Sequence, residues 1–122
     1  MKPLRRSAGS FRYAIAGIRL LLFTQPNARI HLTLAALALV LGILLRVSIA
    51  EMALLALTIG LVLALEAVNT ALEAVVDLAQ PEQHPLAAYA KDVAAGAVLL
   101  AALAALAVGA LLFLPRLWAL LG

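Results

Sequence analysis

The chain has 122 residues, 66% of them hydrophobic and 12% charged, with a net charge of +3 and no cysteine. Ordinary soluble domains are roughly 45–50% apolar, so this composition excludes a water-soluble globule and selects a single-unit integral membrane protein. Without cysteine there is no disulfide or thiolate metal site, and arginines placed beside apolar spans point to lipid headgroups rather than nucleic acid.

The first predicted element is Leu4 to Phe23. Phe11, Ile15, Ile18 and Leu22 recur at helical spacing on one face, and Arg5, Arg12 and Arg19 repeat every seven residues along a neighbouring flank. That pattern predicts an amphipathic helix lying in the membrane interface, and the punctuating arginines fit a cleavable signal peptide poorly. Gln25, Pro26 and Asn27 break the helix before the first span.

Three apolar stretches then predict three transmembrane helices, at about 30–48, 52–76 and 93–114, with about 20 residues needed per crossing. Nothing in the chain alternates as a strand would, so the fold class is all-α. The first span ends at Arg46 and the third is expected to stop at Pro115, with Trp118 and Arg116 as an interfacial anchor. In the third span Ala97, Ala101, Ala105 and Gly109 form a small-residue stripe that suits close helix–helix contact. Lys2, Arg5, Arg6, Arg12, Arg19 and Arg29 precede the first span and Lys91 lies between the second and third. The excess of positive charge puts the N-terminus and the second loop in the cytoplasm and the C-terminus outside. That second loop, "DLAQPEQHPLAAYAKD", is polar and turn-rich, with Glu82 and His84 in the turn and Lys91 and Asp92 expected to open the third helix.

The second span carries the chemistry. Glu66, Asn69, Glu73 and Asp77 fall within roughly an 80° arc of one helix face and rise about 16 Å from first to last. Glu66 lies about 20 Å along the span from Met52, inside the hydrocarbon on its cytoplasmic side, while Glu73 nears the headgroups and Asp77 passes beyond them. An acid at the centre of a spanning helix costs roughly 2.5–3.5 kcal/mol, which function usually explains. Asp77 reads almost equally well as a solvated loop residue. Two functional classes remain at this point. One is a small transporter or proton-coupled carrier with Glu66 as a titratable relay. The other is a phosphoryl-transfer site at the inner interface, which needs a base, carboxylates for Mg²⁺ and a cation for phosphates. The familiar GxxxxGK and HRD nucleotide motifs are absent from the sequence.

The stretches "EAVNTALEAVVD" (66–77) and "PEQHPLAAYAKDVAAGAVLL" (81–100), with "AGIR" (16–19) and "NARIH" (27–31), resemble the bacterial diacylglycerol kinase and undecaprenol kinase family of small membrane kinases. The resemblance covers nearly the whole chain. It implies an ATP- and Mg²⁺-dependent lipid kinase of the bacterial cytoplasmic membrane, built as a homotrimer with active sites shared between protomers. It further implies that Glu66 is the catalytic base toward undecaprenol or diacylglycerol, that Glu73 holds Mg²⁺ with the ATP phosphates, and that Asn69 supports this site. Glu82, Gln83 and His84 match the nucleotide-contacting segment, Lys91 and Asp92 the pair on the phosphates and adenosine, and Arg6 and Tyr13 positions reaching toward ATP. Gln25 stands where the family often has a metal-binding glutamate; its amide oxygen can coordinate but brings no charge. Arg19, Asn27, Arg29 and His31 fall on the lipid-substrate side. Read by itself, His31 is a packing or headgroup contact rather than a metal ligand, since no second ligand sits at helical spacing from it.

Overall fold

The computed structural model describes residues 6–122, with side chains from Gly9 onward. Every element among them is helical: α1 (Arg6–Thr24), α2 (Pro26–Leu44), α3 (Ile49–Ala79) and α4 (Pro85–Leu121). The last three are long and apolar enough to cross a membrane. At 1.5 Å per residue α3 runs about 46 Å and α4 about 55 Å, so both outreach a hydrocarbon layer of about 30 Å.

Local chemistry sets the boundaries. Gln25 is extended and Pro26 occupies the first helical position of α2, where its missing N–H costs nothing. One residue thus separates α1 from α2, and α2 begins four residues before the predicted span. The guanidinium of Arg29 crosses this break and donates to the carbonyls of Leu22 and Phe23 at 3.1 and 3.0 Å, satisfying the open end of α1.

The turn from α2 to α3 is closed by two bonds, Arg46 N–H to Ile43 O and Val47 N–H to Gly42 O. This is a Schellman closure, and Arg46 takes the left-handed position that glycine usually fills (φ 54°). Ser48 and Glu51 then form a reciprocal capping box at the start of α3.

Proline does not end α4. Pro115 lies inside the helix, which continues to Leu121, against the expectation of a stop there. Its missing N–H leaves the Leu111 carbonyl without a helical donor, while the side chain of Arg116 donates to the neighbouring Leu112 carbonyl at 2.8 Å. The loop between α3 and α4 is also shorter than predicted. Asp77 belongs to α3, and α4 starts at Pro85 with His84 as its N-cap, so Lys91 and Asp92 sit in the second turn rather than at the opening.

α3 is the hub, packed along α4 and more lightly against α2, while α1 touches the bundle only sparsely. Two ion pairs fix the α3–α4 seam: Asp77 with Lys91 at one end, and Glu51 with Arg116 at the other. The second pair is bidentate, both guanidinium nitrogens lying 2.8–2.9 Å from the carboxylate. The intervening lengths are about 39 Å on α3 and about 38 Å on α4, so the helices run antiparallel in matched register.

The densest packing lies toward the α2–α3 turn, where Leu55, Leu112 and Phe113 are buried among Leu41, Val47, Met52 and Val108. Gly42 allows α2 to approach there; a methyl group at that position would stand 3.0 Å from the Met52 terminal carbon. Few other apolar side chains are covered. The exposed surface is 9412 Å², against about 6,200 Å² for a compact soluble protein of this mass. The surplus is leucine, valine and isoleucine facing outward, as a lipid environment requires. The stripe on α4 divides: Ala101 is buried, whereas Ala105 and Gly109 line an apolar groove open between α2 and α4.

Candidate functional site

The polar residues of α3 converge at the end of the bundle opposite the packed core. Glu66 is 3% exposed and is the buried acid among the described residues. Its Oε2 faces His31 Nε2 of α2 at 3.8 Å, a separation of charge-contact range and longer than a direct hydrogen bond. The pair arises because α2 and α3 run antiparallel, which sets the second turn of α2 beside the middle of α3.

One turn further along α3, Asn69 Nδ2 donates to Glu73 Oε1 at 3.4 Å. The Asn69 Oδ1 is enclosed and carries no hydrogen-bond partner. A buried amide oxygen left open beside a carboxylate is a hard-oxygen donor set of the kind that suits Mg²⁺. No cluster of three or more His, Asp or Glu side chains forms among the described residues. An ion here would therefore complete its shell from phosphate oxygens and water, the usual habit of Mg²⁺. The residues fit the ion on those terms.

Beyond Glu73 the face continues into an open groove of about 560 Å³, bordered by Asp77, Glu82, Gln83, His84 and Lys91. Lys91 contacts Asp77 and lies within electrostatic reach of Glu73. His84 accepts from the Leu86 N–H through Nδ1 (3.1 Å), which orders the turn and commits that nitrogen to capping. Glu82, Gln83 and Asp92 are exposed.

The other expected site residues are spread more widely. Tyr13 and Arg19 are exposed on α1, Asn27 is exposed on the first turn of α2, and Gln25 is half-buried between the two helices. The Arg6 side chain lies outside the described residues. Arg29 is engaged with the α1 carbonyls, a use that its sequence context gives no hint of. Sequence reasoning also missed the Glu66–His31 and Asp77–Lys91 pairs, since each joins two helices whose register only packing sets. Of the Glu51–Arg116 pair only Arg116 was legible, as an interfacial anchor.

Fold and site together define a small polytopic α-helical membrane protein with one buried carboxyl group. A row of polar side chains leads from that group out of the bundle to an open, charged groove. The family model for prokaryotic diacylglycerol kinase matches residues 12–113. The chain is 48% identical over 129 aligned residues to a diacylglycerol kinase of Synechocystis sp., covering 98% of this chain and 74% of that protein. It is 42% identical over 114 residues to an undecaprenol kinase of Bacillus subtilis, covering 93% of each. The chain belongs to the prokaryotic diacylglycerol kinase family and is a membrane lipid kinase that uses ATP. The carrier alternative finds no support in these relatives.

Proposed function

We propose that the whole chain is one kinase domain that transfers the γ-phosphate of ATP to the primary hydroxyl of undecaprenol or diacylglycerol. The observation that carries this reading is Glu66, a carboxyl group enclosed by apolar helices in a chain of a lipid kinase family. Glu66 takes the proton from the acceptor hydroxyl. The freed oxygen pair forms a bond to the γ-phosphorus, and the bond from that phosphorus to the bridging oxygen breaks with its electrons leaving on ADP. Glu73 and Gln25, with Asn69 beside Glu73, would hold Mg²⁺, which supplies positive charge against the phosphate oxygens. Lys91 presents a point charge to the phosphates. Asp92, Glu82, Gln83 and His84 form the nucleotide's border, with Tyr13 contributing from α1. Arg19, Asn27 and Arg29 face the lipid headgroup region.

The groove of Lys91 and Glu82–His84 opens to the cytoplasm in this reading, supported by the arginines and lysine that precede the first span. The acceptor arrives laterally from the bilayer while ATP arrives from water. Positioning and electrostatics then carry most of the rate. The protein works as a homotrimer, and the sparse cover of α1 and the wide apolar surface leave room for neighbouring copies.

The test is phosphate transfer by purified protein in mixed micelles, with labelled ATP, Mg²⁺ and either 1,2-dioctanoylglycerol or a polyprenol. Labelled lipid phosphate is expected and disappears on chelation of the metal. Failure of both acceptors to be labelled would overturn the reading. Cross-linking in the same micelles is expected to give trimers, and a monomer that retains full activity would remove the shared-site part.

A further inference from the structure

We infer that His31 is a positioning residue for the reaction: through its Nε2 it holds the Glu66 carboxyl group beside the apolar groove that the imidazole lines. This deepens the proposed function and rests on Glu66 as the base. Three observations converge on it. Glu66 is buried on α3, and among the described residues His31 is its one ionisable partner, reaching it from α2. The imidazole presents Nε2 to the carboxyl oxygen, not Nδ1. The same imidazole lines a groove of about 540 Å³ whose other walls come from α2, α3 and α4. Those walls are apolar except for Thr58, whose hydroxyl is already donated to the Leu54 carbonyl. His31 is therefore the polar side chain of that groove still able to direct Glu66.

The physical need is plain. A glutamate side chain has three rotatable bonds, and hydrocarbon walls give its oxygens no preferred direction. A base must meet its proton within hydrogen-bond reach, and a misplacement of about 1 Å costs about 100-fold in rate. A donor fixed on the facing helix removes that freedom. At 3.8 Å the two groups stand within charge-contact range, about 0.6 Å beyond the upper limit of an N–H···O hydrogen bond. A long-chain alcohol whose tail lies among Ala35, Ala105 and Gly109 would bring its hydroxyl to the part of the groove that His31 lines.

The geometry makes a sharp demand on substitution. Gln places its amide nitrogen near where Nε2 of histidine stands, whereas Asn places its own near Nδ1. His31→Gln and His31→Asn are compared in detergent micelles with 1,2-dioctanoylglycerol and a polyprenol as acceptors, alongside Glu66→Gln and the thermal midpoint of each variant. His31→Asn is expected to lose about 100-fold in kcat with KM for ATP within about 2-fold of the parent, and His31→Gln to stay within about 5-fold of the parent kcat. Equal losses in the two variants, or a His31→Asn kcat within about 3-fold of the parent, would overturn the positioning role. So would a rise in KM for ATP that accounts for the whole loss. If Glu66→Gln itself keeps near-parent activity, the base assignment falls first, independently of what His31 does. A loss confined to kcat in His31→Asn, with the midpoint unchanged and Glu66→Gln inactive, supports both.

Discussion

Replacing Glu66 by glutamine sets catalysis and stability against each other. Glu66 is 3% exposed and its one ionisable partner among the described residues stands at 3.8 Å, so little in the fold offsets the cost of keeping a carboxyl group there. An acid at the centre of a spanning helix costs roughly 2.5–3.5 kcal/mol. Glu66 lies nearer one end of the hydrocarbon, which lowers this to about 2 kcal/mol. Glutamine keeps the length and shape and removes the ionisable group. The variant is expected to gain about 1–2 kcal/mol in stability, the amide retaining part of the polar cost. Loss of a general base removes about 10²–10⁴ in rate. The assay pairs initial rates of lipid phosphorylation with reversible unfolding of parent and variant in one mixed-micelle composition. A dead but more stable protein is the expected outcome. Turnover within about 10-fold of the parent would refute the base, and a stability loss above about 1 kcal/mol would show that the carboxyl group is a structural bond instead.

Other predictions follow from the remaining geometry. Lys91→Met is expected to raise KM for ATP by about 10-fold or more while the acceptor KM stays put, since a point charge on phosphate is lost; initial rates at varied ATP check this. Arg46→Gly relieves a left-handed backbone that costs an L-residue about 1–2 kcal/mol, offset by about 0.5–1 kcal/mol from the freer unfolded chain. A net gain of about 0.5–1 kcal/mol is expected in the same unfolding assay, and a loss would contradict it. Gly42→Ala should be nearly neutral, because the atom it meets is the mobile end of Met52. Gly42→Leu must push α2 from Leu55 and is expected to cost about 1–3 kcal/mol, with near-equal stabilities of the two variants refuting the close approach.

How far the sequence announces this molecule depends on whether a feature lives within one helix or between two. The three spans and the amphipathic α1 were legible because apolar runs and a 3.6-residue period are properties of a single segment. So was the polar face of α3, since Glu66, Asn69, Glu73 and Asp77 need only helical geometry to align. The continuation of α4 through Pro115 was not, because proline reads as a stop signal in sequence while the helix carries on past it to Leu121. Asp77 was poised between loop and helix until the seam with α4 gave it Lys91. His31 had no ligand at helical spacing along its own helix; its partner comes from α3, at a register that packing near Gly42 and Leu55 decides. Contacts between helices remain hidden wherever no pattern within one helix encodes their register.

The two charged links that terminate the α3–α4 seam impose a length rule on this protein. Adding one residue to either helix between its anchors would advance the far side chain by about 1.5 Å and swing it through about 100°, so one link would open whichever helix was lengthened. A change of span length shared by both helices keeps the two links in register, whereas one confined to a single helix does not.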